Sequence, residues 1–163
     1  WPKHLTKQWK CNAMKIDAET LEQVVRRIVA ESIAKGNSQP WRQEDRSGVI
    51  AISAPKVECE KFPFPIESDR VFLKDVLTVE ESPRLGCGIM EMEETSFEWT
   101  LTYDEVDYVI DGTLEIIIDG RKVTANAGEI IFIPKDTKIH FSTPNKTRFL
   151  YVVYPATWAD SGN

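Results

Sequence analysis

Glu105 and Asp107 lie two residues apart in the stretch YDEVDYVIDG, and they are the side chains whose types and spacing best suit chemistry. In a β-strand, side chains two residues apart point to the same face. If Glu105 faces inward, Asp107 and Val109 share its face. The opposite face then carries Val106, Tyr108 and Ile110. Paired carboxylates can shift each other's pKa or hold a divalent ion against a phosphate, although each could instead simply face solvent.

Four further side chains are candidates for the same site. Tyr103, in the turn before Glu105, could donate a hydrogen bond to a carboxylate or phosphoryl oxygen, or could pack on its neighbours at the rim. His140 could orient or protonate a substrate, although a histidine hydrogen-bonded at a barrel mouth is the more ordinary interpretation. Trp99 and Glu98 are candidates for a pocket wall, with a core position as the alternative for Trp99. The predicted catalytic residues are Glu105, Asp107, Tyr103 and His140.

The elements that would position these residues are short strands. After Gly48 the sequence alternates apolar runs with turn residues, which predicts an all-β sandwich or barrel. The apolar runs are Val49–Ile52, Val71–Val79, Leu85–Met92, Phe97–Leu101, Val106–Ile110, Leu114–Ile118, Glu129–Ile133 and Phe149–Tyr154. The predicted hairpin turns are Asp111-Gly112, Asp119-Gly120 and Asn126-Ala127-Gly128. We therefore predict a β-barrel domain over residues 48–163.

Residues 1–47 predict an N-terminal arm, a short amphipathic helix and a linker. The helix begins at Asp17, a capping residue, and ends before Gly36, with apolar residues at helical spacing between them. The stretch KGNSQPWRQEDRSG has no periodicity and predicts a linker. The apolar stripe of the helix could pack on the barrel of its own chain or dock into a partner protein.

Two motifs in the strand region resemble those of the cupin superfamily. Glu105 is followed after six residues by Gly112, and Gly128 is followed after five residues by Pro134. The glycines suit positions where the chain turns, and the proline ends a strand because it lacks an N–H group. The resemblance implies a cupin-type β-barrel, also described as a double-stranded β-helix or jelly roll.

Metal-binding cupins carry two histidines shortly before the glutamate of the first motif, and this sequence has neither. Those places are Trp99 and Leu101, or Glu98 and Thr100 with a spacing one residue longer. A three-histidine centre for a transition metal is therefore not expected.

The third histidine of such centres belongs to the second motif. Counting from Pro134 gives Ile139, and we expect a one-residue insertion that brings His140 into register instead. The remaining ligands are mainly carboxylate oxygens, which suit Mg²⁺ held by Glu105 and Asp107.

Composition limits the classes of partner that this protein could bind. The net charge of −6 without a basic cluster argues against nucleic acid, and no apolar run approaches the roughly 20 residues of a membrane-spanning helix. The three cysteines are widely spaced and form no CxxC pair. The N-terminus shows no signal-peptide pattern. We therefore expect a cytoplasmic protein whose ligand is a small molecule or another protein, and edge strands that pair in a homodimer.

A closer resemblance covers roughly residues 48–158. The stretches KFPFPIESDRVFLKDVLTVEESPRLGCGIMEME and WTLTYDEVDYV, with RFLYVVYPA near the end, resemble the EutQ family of ethanolamine utilization proteins. That family also lacks the first two metal histidines. The resemblance implies an acetate kinase that uses ATP, in the ethanolamine bacterial microcompartment, with shell proteins as partners and a role in shell assembly.

Nothing in the motifs themselves indicates a kinase. The sequence has no GxxxxGK[ST] loop and no Gly-rich kinase signature. Lys135, Lys138 and Arg148 could neutralise phosphate charge, but exposed basic residues are mostly solvated. Two alternatives therefore stay open: a non-catalytic cupin that binds a small metabolite or acts as a scaffold, and a metal-independent isomerase or lyase that uses the carboxylates for acid–base work.

Overall fold

The protein was analysed as a computed structural model, which describes residues 39–157. The compact unit that contains the strands begins at Pro40. The predicted arm and amphipathic helix of residues 17–36 lie outside the described residues. Within them, no helix has the length and apolar character that crossing a membrane requires.

The described chain is nearly all β. A two-stranded antiparallel sheet forms from β1 (Arg42–Glu44) and β2 (Ile50–Ile52), followed by a short 3-10 helix, Ala54–Lys56. The other strands form one larger antiparallel sheet, in the order β3-β4-β5-β9-β6-β7 with β8 also paired to β6. They are β3 (Glu60–Lys61), β4 (Val71–Asp75), β5 (Gly86–Leu101), β6 (Asp104–Ile118), β7 (Arg121–Asn126), β8 (Ile130–Ile133) and β9 (Thr137–Tyr154).

Three long strands, β5, β6 and β9, carry the barrel. The apolar runs predicted as separate short strands at Val106–Ile110 and Leu114–Ile118 belong to the single strand β6. The predicted hairpin turn at Asp111-Gly112 is therefore wrong, because this dipeptide forms an irregularity inside a strand. The turn at Asp119-Gly120 is confirmed, and both residues have the positive φ angles, 48° and 72°, of a tight hairpin turn.

The irregularity in β6 exchanges the two faces of the strand. Before it, odd-numbered residues such as Val109 point inward; after it, the inward residues are even-numbered, as at Leu114. Gly112 allows this change, because its φ is +76° and a Cβ there would lie 2.0 Å from the carbonyl oxygen of Lys146. The face that a residue of β6 occupies therefore changes across the irregular stretch between Val109 and Glu115, which contains Gly112.

The barrel interior is the main core. Its fully buried side chains come from all the long strands, and they include Phe149, Met92, Leu101, Leu114, Ile139 and Val109. Most are β-branched or large apolar residues, which fill the inward face of a pleated sheet well. The inward face of β6 also carries Glu105 and Asp107, so the predicted alternation of this strand is confirmed.

A second apolar cluster covers the outer face of the barrel sheet. Trp41, Val57, Val76 and Ile89 are its buried members. The Arg148 guanidinium donates to the carbonyl oxygens of residues 54 and 57 at 2.7 and 2.8 Å, which fastens the 3-10 helix to β9. The predicted linker therefore ends earlier than residue 47, since the chain is already packed and paired from residue 41 onward.

Candidate functional site

The carboxyl groups of Glu105 and Asp107 lie together inside the barrel. They project from the inward face of β6, between β8 and β9, and only 4% of Glu105 and 0% of Asp107 is exposed. Neither oxygen of Asp107 has a hydrogen-bond donor among the described residues, yet its carboxyl group lies within hydrogen-bonding reach of that of Glu105. Two carboxylates cannot bond to each other unless one carries a proton. The pair is therefore built to share a proton.

A chain of hydrogen bonds leads from the pair to the barrel wall. The indole Nε1–H of Trp99 donates to the Tyr103 hydroxyl oxygen at 2.8 Å, and the Tyr103 hydroxyl in turn donates to Glu105. Because indole nitrogen can only donate, the direction of the chain is fixed. Glu105 thus already accepts a hydrogen bond, so the shared proton belongs on Asp107.

Burial controls the protonation of the pair. It raises the pKa of Glu105 to about 7, against the smaller opposing effect of the hydrogen bonds from Asp107 and Tyr103. Burial, followed by the neighbouring charge of Glu105, raises the pKa of Asp107 well above its usual range. No basic side chain among residues 39–157 offsets these effects, which is the pattern expected for two carboxyl groups in one apolar site.

A small cavity of about 20 Å³ lies beside Glu105. That volume is roughly the space of a single water molecule. Six aromatic side chains line it together with Glu105, and none of its lining residues is Lys, Arg or His. The aromatic residues are Phe62, Phe97, Trp99, Tyr103, Phe141 and Tyr151.

The interior does not fit a hydrated magnesium ion. Mg²⁺ demands octahedral coordination and usually keeps several of its waters, each of which occupies about 30 Å³ of liquid volume. The cavity beside Glu105 has room for about one. Across residues 39–157, no group of three or more His, Cys, Asp and Glu side chains is arranged to hold a metal ion. The pair suits a shared proton better than this ion.

A larger groove of about 530 Å³ lies at the margin of β5. Its lining includes Glu98 and His140 together with Trp99, which also borders the interior cavity. Glu98 forms an ion pair with Lys138 at 3.0 Å, and both side chains are more than half exposed. The structure thus separates the six predicted site residues into an interior group and a groove group, with Trp99 common to both.

The expected insertion that brings His140 into register is wrong. Ile139 is 1% exposed and lies opposite Trp99 in the β5–β9 ladder, on the inward face. His140 lies opposite Glu98 and is exposed. Successive residues of a strand face opposite ways, so the strict count from Pro134 gives the inward residue without any insertion. His140 does not join Glu105 and Asp107.

Two interior residues were missed by the sequence analysis. Tyr151 donates its hydroxyl to Asp75 Oδ1 at 2.6 Å and lines the cavity. Gly88 leaves the room for this hydroxyl, since a Cβ there would lie 2.1 Å from it. Period-two alternation in RFLYVVYPA could have indicated Tyr151, which shares the inward face with Phe149 and Val153. The need for Gly88 follows only from the pairing of β5 with β9.

Comparison with known proteins finds similarity over most of the chain. The family model described as Ethanolamine utilisation protein EutQ matches residues 16–160. A Clostridioides difficile (strain 630) protein named acetate kinase EutQ is 55% identical over 149 residues, which is 88% of this chain and 95% of that protein.

Solved structures also match this chain. The structure of the Clostridium difficile EutQ protein matches with a TM-score of 0.71 and 58% identity, over 74% of this chain and 90% of that one. A cupin superfamily protein from Desulfitobacterium hafniense DCB-2 matches with a TM-score of 0.50 and 13% identity, over 63% of this chain and 86% of that one. The second match concerns the fold alone, and the predicted cupin-type barrel is confirmed.

Proposed function

Because the chain belongs to the EutQ family of ethanolamine utilisation proteins, we propose that it is an acetate kinase, which transfers the γ-phosphoryl group of ATP to acetate. The observation that carries this proposal is its similarity to the Clostridioides difficile protein of that name, which extends over nearly the whole of that protein. The geometry then limits where the reaction could occur.

Phosphoryl transfer from ATP to acetate requires neutralisation of negative charge more than it requires a general base. Acetate is ionised at neutral pH, as carboxyl groups with pKa values near 4 are. One of its oxygens forms a bond to the γ-phosphorus, the bond from that phosphorus to the β–γ bridging oxygen breaks, and ADP leaves with the electron pair. Two anions must therefore be brought into line, with Mg²⁺ entering as part of the Mg–ATP substrate. A suitable site needs room and positive charge.

The groove meets these needs better than the interior. It offers about 530 Å³, whereas the cavity offers about 20 Å³ and two carboxyl groups that oppose an anion once ionised. His140 lines the groove, together with the carboxyl groups of Glu67 and Glu98, and Lys138 forms an ion pair with Glu98. We assign His140 as the catalytic residue that contacts the phosphoryl group, and Lys138 as a source of positive charge.

The interior residues act through Trp99. Its indole ring borders both the groove and the cavity, and its N–H group is held by Tyr103, which is held by Glu105. In this proposal Glu105, Asp107 and Tyr103 are positioning residues. They fix the wall of the groove against which the substrate binds.

A direct assay tests the proposal. Purified protein with acetate and Mg–ATP should form acetyl phosphate, measured as its hydroxamate. His140→Ala should lower kcat by about 100-fold, the usual cost of losing one group that stabilises transition-state charge. Glu80→Gln, at an exposed position outside the groove, should leave kcat unchanged. Wild-type protein that forms no acetyl phosphate above the background overturns the proposal.

Two observations favour a second candidate, a non-catalytic cupin that binds a small ligand. The cavity is lined without any basic residue, and the sequence has no nucleotide-binding loop. An absence of acetyl phosphate together with saturable binding of a small molecule would favour it.

The predicted homodimer has a candidate interface on the outer face of β8, β6 and β9. Five large apolar side chains there are 40–65% exposed and lie on neighbouring, paired strands: Val106, Tyr108, Ile130, Phe132 and Tyr154. Patches of this kind mark interaction sites, and a second copy of the same face is a self-complementary partner. Phe132→Asp should yield a monomer in light-scattering measurements, whereas Val123→Asp on β7 should not; a dimer in both variants would exclude this face.

Localisation to the ethanolamine microcompartment and a role in shell assembly are part of the same proposal. Its support is the membership of an ethanolamine utilisation family. Deletion of residues 1–36 should abolish co-purification with shell proteins if the predicted helix is the docking element. Undiminished co-purification would contradict that role.

A further inference from the structure

The interior cavity has a chemical character that phosphoryl transfer does not use. Asp107 is wholly buried, and its carboxyl group lies within hydrogen-bonding reach of that of Glu105, which lines the cavity. A buried carboxylate needs a counter-charge. No Lys, Arg or His lines the cavity, so the charge of an ionised Glu105 is neutralised either by a proton or by a bound cation.

The rest of the lining also favours a cation. Six aromatic side chains surround the cavity, and the negative face of an aromatic ring attracts positive charge. An anion would meet the Glu105 carboxyl group, with no basic side chain in the lining to hold it. The sign of the preferred ligand follows from the whole lining and does not depend on the carboxyl pair alone.

Size and donor geometry identify the kind of cation. The volume of about 20 Å³ suits one ion the size of a water molecule and excludes a metal ion that keeps its waters. An ammonium group has several N–H donors, which can reach the carboxyl oxygens while its remaining surface lies against aromatic rings. Alkali metal ions lack those donors.

We infer that the barrel interior binds a small ammonium group, either the free ion or the amino end of a primary amine, beside the Glu105 carboxyl group and among the aromatic side chains that line the cavity. This function is separate from acetate kinase activity, and neither requires the other.

Binding exchanges a proton for the ligand. A protonated Glu105 carries no negative charge to hold the ligand, so affinity should fall as the pH drops below about 7, the pKa of Glu105. The other titratable groups near the pair do not take part in this exchange. Burial keeps the two tyrosines neutral, Asp75 accepts a hydrogen bond from one of them, and Cys87 is a half-buried thiol. The tyrosines are Tyr103 and Tyr151.

Thermal unfolding of the full chain without acetate or ATP tests the inference. At about pH 8, where ammonium is charged, ammonium chloride should raise the melting temperature saturably above that in equal sodium chloride. The rise should be about 5 °C at tenfold excess over the dissociation constant. The Trp99 indole N–H signal in ¹⁵N-labelled protein should shift over the same concentration range.

Variants make the test specific. Glu105→Gln keeps the shape of the side chain and removes its charge, so it should weaken ammonium binding at least about tenfold. Glu80→Gln removes a charge from an exposed site and should not change it. Unchanged binding in a folded Glu105→Gln variant overturns the inference.

Thermal unfolding with other salts and amines distinguishes the free ammonium ion from the amino end of a primary amine. If sodium, potassium and ammonium chloride raise the melting temperature equally, the inference is overturned. It is also overturned if potassium raises it as much as ammonium does, because the site then selects an ion by its size. If methylammonium and ethanolamine give the same saturable shift, the ligand is the amino end of a primary amine. If only ammonium does so, the ligand is the free ion. Acetate kinase assays on the same samples report on the proposed function separately.

Discussion

Asp107 and Asp111 lie on one strand, four residues apart, and their carboxyl groups behave in opposite ways. Asp107 is buried with no basic partner, and its pKa is raised by burial and by the charge of Glu105. Asp111 is exposed and accepts a hydrogen bond from Lys146 at 2.9 Å, which lowers its pKa. Asp107 is therefore an acid that keeps its proton, whereas Asp111 is an ordinary ionised carboxylate at the surface.

The difference between the two aspartates comes from the strand, not from their types. With uninterrupted alternation, Asp111 would share the inward face of Asp107. The irregularity between Val109 and Gly112 turns it outward to Lys146. The irregular stretch that contains Gly112 thus separates a proton-holding interior from a salt-bridged surface.

The largest effect on this comparison should come from removing that glycine. Gly112→Ala places a Cβ against the Lys146 carbonyl oxygen at a φ of +76°, so the backbone must shift. We expect a loss of about 4 kcal/mol in the free energy of unfolding, measured by urea denaturation. Gly120→Ala is the matched control, because φ is +72° but no atom lies within 4 Å. Equal losses would show that the close approach at Gly112 is unimportant.

Protonation of the interior should give the next largest effect. The folded state holds the Glu105 proton up to about pH 7, whereas an unfolded chain releases it near the ordinary value of 4.5. The folded protein therefore binds more protons in this window, and its stability falls as the pH rises through it. Relative to Glu105→Gln, wild-type protein should lose on the order of 3 kcal/mol between these pH values. A constant difference in urea denaturation would contradict the raised pKa.

Tyr103→Phe should have a smaller effect on the same site. The substitution removes the acceptor of the Trp99 N–H group and the donor to Glu105, while keeping the ring. We expect a loss of about 2 kcal/mol in the free energy of unfolding. The pKa of Glu105 should also rise, because its ionised form loses a hydrogen bond. Carboxyl chemical shifts followed by NMR over pH would detect this, and an unchanged titration would refute the proposed chain of hydrogen bonds.

Asp107→Asn should have the smallest effect of the four. If Asp107 is neutral and donates to Glu105, an asparagine amide can make the same hydrogen bond in the same space. The free energy of unfolding at neutral pH should therefore change by less than about 1 kcal/mol, despite complete burial. A loss of several kcal/mol would show that the residue is an ionised carboxylate with a partner that asparagine cannot replace.

Sequence reasoning predicted the inward face of β6 up to Val109, because a two-residue period leaves little freedom once one residue faces the core. It did not predict the change of face at Gly112, since Asp-Gly serves equally well as a hairpin turn and as an irregularity inside a strand. Only the pairing with β9 distinguishes these two uses. An all-β sandwich or barrel was predictable from many turns and strands together, and the cupin type was implied by the resemblance of the two motifs.

The groove could not be predicted from local patterns. Glu98 and His140 are 42 positions apart in the sequence and become neighbours only through the β5–β9 register. Counting from Pro134 gave the inward residue, Ile139, and the preference for the histidine overrode that count. A residue type suited to chemistry was thus a weaker guide than strand geometry.

The position of β9 in the sheet has a consequence for the order in which the protein can fold. This strand pairs with β5 on one edge and with β6 on the other along most of its 18 residues, and it is the last strand of the barrel in the chain. During synthesis, β5 and β6 each emerge with one edge whose backbone N–H and C=O groups have no partner until residues 137–154 leave the ribosome. Such edges promote aggregation, so this barrel should depend on chaperones most strongly just before its final strand appears.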